Sequence, residues 1–331
     1  MSEDLSSLKG IGPKTVEKLL NAGIKTIADV ATLRPEELAS ILGWNRMKAL
    51  ETINDAKEKA LDVAIQLLSL KDFEEEINGK ICRFSTGSKA IDELIGGGIA
   101  TNELTGLRGP FATGKTQLCM TSAVFCIKEG RSVAWIETEP GTFKSQRLEE
   151  IAENRGVDLD IEDDVFVIPA RFILSPNHQF LAYQRVEREI NRGTDIGLIV
   201  IDSFSPKFRE FYPRREMFPQ RSQETGRHLG FLQYLAAKYN LAVVLTVQVM
   251  GVPDSNKALE TQMIEFSDKA MYGGHVLKHS VQTWLSLRIK SKKDRIFEAS
   301  LFDSSYLPTG SVYFTIGPEG VTDLAAKKGR G

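Results

Sequence analysis

The stretch Gly109-Pro110-Phe111-Ala112-Thr113-Gly114-Lys115-Thr116 fits the spacing G-x-x-x-x-G-K-[ST]. Its glycines let successive backbone N–H groups curl around phosphate oxygens at the N-terminus of a helix. Lys115 then reaches the β- and γ-phosphates, and the Thr116 hydroxyl completes a magnesium shell, so ATP and Mg2+ are the expected cofactors. The nucleotide-binding set runs from Gly109 through Gln117. Asp202 follows the apolar run Leu198-Ile199-Val200-Ile201; a parallel strand there delivers a carboxylate beside the loop, where it holds magnesium directly or through water. Glu139, in Trp135-Ile136-Glu137-Thr138-Glu139, reads as the end of another strand, from which a carboxylate can take a proton from attacking water. Gln248 ends a third apolar run, Leu245-Thr246-Val247-Gln248-Val249. Its amide either senses a γ-phosphate or merely caps the strand.

The elements that must position these groups are legible beyond Arg83. Short apolar runs at Glu103–Leu107, Val133–Ile136, Val165–Ile168, Leu198–Ile201 and Ala242–Val249 are separated by helical stretches such as Gln117–Lys128. That order predicts βαβ units and an α/β core with a mostly parallel central sheet. Residues 1–65 carry short helical patterns instead, with apolar positions Leu8, Ile11, Val16, Leu19, Leu38, Ile41 and Leu42. A charged stretch ending in Asn78-Gly79 suits a linker over 66–82, which leaves the core at 83–323 and a disordered tail at 324–331.

With 331 residues, 42% hydrophobic and 26% charged, the chain is long enough for two folded domains and is neither disordered nor collagenous. The N-terminus is acidic and polar, and no apolar run approaches the roughly 18 residues of a spanning helix, so an intracellular, cytoplasmic protein without a membrane partner is expected. Cys82, Cys119 and Cys126 form no C-x-x-C pair and read as buried thiols. The net charge of -2 advertises no nucleic acid; the local basic run from Leu287 to Phe297 reads as a solvated hairpin.

Taken together these stretches resemble the archaeal RadA recombinases of the RecA family. The matching pieces are Phe84-Ser85-Thr86-Gly87-Ser88, Leu94-Ile95-Gly96-Gly97-Gly98, Gly114-Lys115-Thr116-Gln117, Gly141-Thr142-Phe143 with Arg147, and Ile201-Asp202-Ser203. Further on come Arg221 with Gly226-Arg227-His228-Leu229, Gln248-Val249, Gly273-Gly274-His275, and Asp303-Ser304 with Leu307-Pro308. The resemblance implies a RecA-like P-loop ATPase core, binding to single- and double-stranded DNA, and head-to-tail self-association with ATP between protomers. It implies that Glu139 activates water, that Arg147 stacks on adenine, and that the segment Asp303 to Pro308 caps a neighbour's nucleotide. It also implies two DNA-facing loops, Pro213–Gly226 with Arg214, Arg215 and Arg221, and Met250–Tyr272 followed by Gly273 and Gly274.

The N-terminal piece Leu8-Lys9-Gly10-Ile11-Gly12-Pro13-Lys14 resembles a helix-hairpin-helix, with a degenerate second copy around Ile41-Leu42-Gly43-Trp44. Glycines in such a hairpin bring N–H groups near phosphate without regard to base sequence, and Lys9 and Lys14 add charge. Residues 1–60 hold nine Lys or Arg and nine Asp or Glu, net zero, so the expected affinity for DNA is modest. The rival reading is a purely structural helical domain.

The chain departs from the family pattern in four places. Residues 61–70 hold no Phe where the family carries an aromatic F-x-x-A, and the second loop is acidic, with Asp254, Glu260, Glu265 and Asp268 against Lys257 and Lys269. Pro140 separates Glu139 from Gly141, and Val247 replaces an Asn. Two functions fit: a recombinase that exchanges strands, or a paralog that binds ATP, DNA or another recombinase and regulates recombination.

Overall fold

Pro13 and Pro35 each open a helix, the position where a missing N–H is harmless. In the computed structural model, which describes residues 5–64, 67–76, 78–248 and 274–324, these helices are α1 (Pro13–Asn21) and, after α2 (Ile27–Thr32), α3 (Pro35–Leu42). The fourth, α4 (Arg46–Ala64), follows the left-handed Gly43 at φ +70°. A reciprocal cap fixes the start of α2: the Thr26 hydroxyl accepts from Asp29 N at 3.0 Å while Asp29 accepts from Thr26 N at 2.9 Å. Leu8, Ile11, Leu19, Val30, Leu38, Leu42 and Ile53 form the core of this first unit, Met1–Gly79. The stretch expected as a linker is not extended throughout, since it contains α5 (Leu70–Glu76), on which Phe73 is exposed.

The second unit, Lys80–Gly331, starts with a two-stranded antiparallel ribbon, β1 (Arg83–Phe84) and β2 (Ile99–Ala100), around α6 (Lys89–Leu94). It continues through β3 (Leu104–Gly109), α7 (Lys115–Lys128), β4 (Ser132–Glu137), α8 (Ser145–Arg155), β5 (Val165–Ile168) and α9 (Pro176–Ile190). Then come β6 (Ile196–Asp202), α10 (Pro206–Phe211), α11 (Phe218–Tyr239) and β7 (Ala242–Gln248). The C-terminal elements are α12 (Gly274–Ser280), β8 (Thr283–Ser291), β9 (Ile296–Ser304), β10 (Gly310–Gly317) and β11 (Gly320–Asp323).

Among the described residues, nine strands make one sheet in the order β11-β10-β9-β8-β3-β7-β6-β4-β5. Strands β8 to β5 of that order run parallel, as the βαβ pattern requires, and β9, β10 and β11 extend it as an antiparallel arm that the sequence reading did not resolve. The basic run covers the end of β8, the turn at 292–295 and the start of β9.

Alternation along the strands splits the core between the two faces. Val133, Trp135, Leu198 and Val200 pack under α7, whereas Ala134, Ile136, Ile199 and Ile201 pack against α9 and α11 residues such as Tyr183 and Leu232. Gly106 in the middle of β3 has a steric reason: a Cβ there would lie 2.3 Å from the buried Trp284 ring. Cys119 and Cys126 are buried on α7, where burial pushes both thiols up. Cys82 corrects the expectation of three buried thiols, because it lies exposed ahead of β1.

Candidate active site

Three parallel strands end beside one another at the loop that follows β3. A left-handed Gly114 (φ +94°) turns that loop into α7, and a Cβ on it would meet Ile316 Cδ1 at 2.9 Å. Ala112 also takes a positive φ, +62°. The loop borders a cleft of about 530 Å3 lined by Phe111 through Gln117, by Glu139, Pro140, Gly141 and Thr142, and by Asp202, Gln248 and Ile316. Among the expected catalytic and metal residues, Lys115, Thr116, Glu139, Asp202 and Gln248 are therefore brought together.

Lys115 is only 8% exposed, and its ammonium donates to Gly109 O at 2.9 Å and Pro110 O at 2.8 Å. Burial lowers its pKa, and the Asp202 charge offsets part of that. Asp202, at the end of β6 as expected, is 4% exposed and shared by two hydroxyls: Thr116 Oγ1 donates to Oδ2 at 2.7 Å, and Thr246 Oγ1 donates to Oδ1. Gln248, at the end of β7, donates through Nε2 to Glu139 Oε2 at 3.0 Å.

Glu139 itself does not end a strand. β4 stops at Glu137, and Glu139 stands two residues further on, in the turn that Pro140 and Gly141 complete. Burial, and next the charge of Asp202, raise its pKa, which is the direction a proton acceptor needs.

The residue set fits a magnesium nucleotide. A nearly buried ammonium that donates to loop carbonyls, a hydroxyl on a carboxylate, and a glycine-containing loop that opens a helix are the donors and acceptors that phosphate and magnesium use. No group of three or more His, Cys, Asp or Glu that could hold a metal occurs among the described residues, and Thr116 and Asp202 would share magnesium with phosphate oxygens and water.

Other expected residues lie elsewhere. Arg147 is held at the cleft's flank by Gln117 Oε1 (2.8 Å), Glu150 (2.6 Å), Gly317 O (2.6 Å) and Pro318 O (3.0 Å). Asp303 and Pro308 do not line the cleft. Asp303 pairs with Trp284, the second residue of β8, which in turn pairs with Gly106 in the middle of β3. The first DNA-facing segment is largely helical rather than a loop: a 3-10 turn spans Arg215–Met217 and α11 begins at Phe218, with the Arg221 guanidinium 4.2 Å from the Phe218 ring centre. Arg214 and Arg215 are exposed. Gly274 opens α12, while Gly273 and Met250–Tyr272 lie outside the described residues, as does 325–331 of the expected tail.

In the N-terminal unit, Gly10 (φ +83°) makes the hairpin turn and Gly12 precedes α1 without a side-chain cap. Lys9 lies exposed beside that turn, and its backbone N–H donates to Asp55 at 2.7 Å. Lys14 lies exposed in the first turn of α1.

Sequence reasoning missed Glu137, a buried carboxylate at the end of β4, and Ile316, which the antiparallel arm brings to the phosphate loop. Hydrophobic burial of Glu137 within a strand-end E-T-E was the available signal for the first; nothing local marks the second. No helix of the described residues is long and apolar enough to cross a membrane.

Residues 78–324 match the family model Rad51, and residues 2–58 match the model of the SAM-like helix-hairpin-helix tandem. The chain is 32% identical over 336 residues to the DNA repair and recombination protein RadA of Aeropyrum pernix, with 97% of each chain covered.

Proposed function

The chain belongs to the Rad51 family, and from that premise we propose that it is an ATP-hydrolysing recombinase of homologous recombination and DNA repair, one that assembles on single-stranded DNA and exchanges strands with a duplex. The observation that carries the reading is the convergence of Thr116 on Asp202 and of Gln248 on Glu139 within one cleft beside Lys115.

Bound ATP with magnesium supplies the phosphoryl group and a polarised γ-phosphate. The loop amides and Lys115 neutralise phosphate charge. Thr116 and Asp202 would hold the metal, with Thr246 fixing the second carboxylate oxygen. Glu139 takes the proton of the attacking water, and Gln248 orients its carboxylate from the end of β7. Arg147 flanks the base.

For DNA, the Gly10 and Gly12 hairpin and Lys14 offer phosphate contacts in the first unit, and Arg214, Arg215 and Arg221 offer them in the second. Head-to-tail assembly is supported by the family membership and by an Asp303 segment that stays outside the cleft of its own protomer. With no Phe in 61–70, the reading is weak association that ATP between protomers strengthens by linkage.

The test is joint-molecule formation from homologous single-stranded and duplex DNA with ATP and magnesium, lost on Lys115→Ala. Turnover and DNA binding without joint molecules would favour the regulatory paralog, to which the inserted Pro140 points. Absence of turnover and of DNA binding would overturn both.

A further inference from the structure

Glu137 is 8% exposed and does not line the cleft. A carboxylate so enclosed requires donors, and the chain supplies backbone ones from two directions. Oε1 accepts from Thr142 N at 2.9 Å and from Phe143 N at 3.2 Å. Oε2 accepts from Ala170 N at 3.2 Å, in the short helical turn after β5. Thr142 Oγ1 in turn donates to Glu139 O at 3.2 Å. Glu137 therefore ties the far side of the turn Glu139-Pro140-Gly141-Thr142-Phe143 to the end of β4 and to the neighbouring segment.

The turn has little else to fix it. Pro140 has no N–H to give, and Gly141, at φ +82°, has no side chain to pack. The Phe143 ring rests on Trp135 at 5.1 Å between centres, which holds the turn's end but not its reach. Glu139, meanwhile, meets Gln248 at 3.0 Å from across the cleft, an aim that depends on where the turn places its backbone.

We propose that Glu137 is a positioning residue for turnover: by clamping Thr142 and Phe143 to the Ala170 segment, it sets the turn that presents the Glu139 carboxylate to Gln248 and to water. It lies outside the cleft lining and acts through the turn. The proposal rests on the reading of Glu139 as the group that activates water.

Glu137→Gln keeps the shape and withdraws one anchor. Its single acceptor oxygen serves either the Thr142–Phe143 pair or Ala170, and its NH2 then faces the N–H it cannot bond. A catalytic group displaced by a fraction of an ångström loses between about tenfold and about a hundredfold in rate, so kcat should fall by that factor. Affinity for a non-hydrolysable ATP analogue should stay within about twofold, because the phosphate loop is untouched.

The experiment measures ATP turnover and analogue binding on the full-length chain carrying Glu137→Gln, Glu139→Gln or both. If Glu137 acts through Glu139, the double variant is no slower than Glu139→Gln alone. Glu137→Asp, which keeps the carboxylate and shortens its reach, should show a smaller loss of kcat and serves if the amide fails to fold. Four results overturn the proposal. In the first, Glu137→Gln and Glu137→Asp keep normal turnover while Glu139→Gln is slow. In the second, analogue binding falls in step with kcat. In the third, the double variant is slower than Glu139→Gln. The fourth is normal turnover in Glu139→Gln, which removes the assignment of the base and this proposal together.

Discussion

Trp284 occupies the space that any side chain at position 106 would need. On Gly106→Ala, the new methyl falls 2.3 Å from ring atoms Cε3 and Cζ3 and 2.6 Å from Cδ2, whereas carbon atoms in contact settle at about 3.5–4.0 Å. The ring would have to retreat by more than about 1 Å. It has nowhere to go cheaply: Trp284 is fully buried, and its Nε1 donates to Lys278 O at 3.2 Å, tying β8 to α12. Overpacking of this kind costs about 1–3 kcal/mol, and surrender of the indole hydrogen bond adds about 0.5–1.5 kcal/mol. A total of about 1.5–4.5 kcal/mol corresponds to a drop of about 3–18 °C in the melting temperature of a domain this size. Calorimetry and denaturant titration of the full chain measure it. Trp284→Phe should be destabilising alone yet relieve Gly106→Ala, so that the pair loses at least about 0.5 kcal/mol less than the sum. Simple additivity, or a Gly106→Ala protein as stable as the parent, would refute the steric account of why β3 carries glycine beneath the phosphate loop.

Glu139→Gln should keep nucleotide binding while turnover falls by about a hundredfold or more, the scale of a general base. In the parent protein, burial and Asp202 raise the Glu139 pKa, and only its deprotonated form accepts a proton. Turnover measured against pH should thus be full above that raised value and decline on acidification, beginning above the ordinary carboxylate range. His228 sits fully buried among Phe180, Tyr183, Phe204 and Phe208, with Nε2 lacking a hydrogen-bond partner among the described residues and Glu224 at 4.0 Å. Burial, helped by the Arg227 charge, pushes its pKa down to about 3 from 6.5. The unfolded chain then binds the proton first, so stability is complete above about pH 6.5 and is lost as pH falls toward 3. His228→Phe should flatten that slope in denaturant titrations at pH 4 to 7, while at neutral pH it gives up the Nδ1 contact with the Tyr183 hydroxyl at 3.4 Å; an unchanged slope would show that other groups set it.

What could be read from the sequence was what is local. The phosphate loop announces itself because one eight-residue stretch carries glycines, lysine and threonine, and β6 and β7 because apolar runs end on Asp202 and Gln248. The Glu139 position was misjudged by two residues for a physical reason: Trp135-Ile136-Glu137 satisfies strand burial, and the extra Pro140 widens the turn that follows. Pro213–Gly226 was expected as a loop by resemblance, whereas Pro219 in the first turn of a helix and the run after it favour α11. Ile316 and the antiparallel arm were invisible because pairing of β9 with β10 and of β10 with β11 is a long-range choice that no spacing encodes. The Lys9 N–H illustrates the same limit, since the carboxylate that satisfies it lies 46 residues away.

The arm has a further consequence. β9 begins and β10 ends beside the nucleotide cleft, where Ile296 faces Thr315 next to Ile316, and β9 runs on to Asp303 with one irregularity in its pairing at Phe302. Seven residue steps of extended chain measure about 24 Å. If one protomer's Asp303 segment lies over its neighbour's nucleotide, this strand acts as a ruler. The interval between successive nucleotides along an assembly would then be fixed by the length of a strand inside each protomer, and an insertion or deletion in β9 would alter the filament's pitch before it altered any surface that touches DNA.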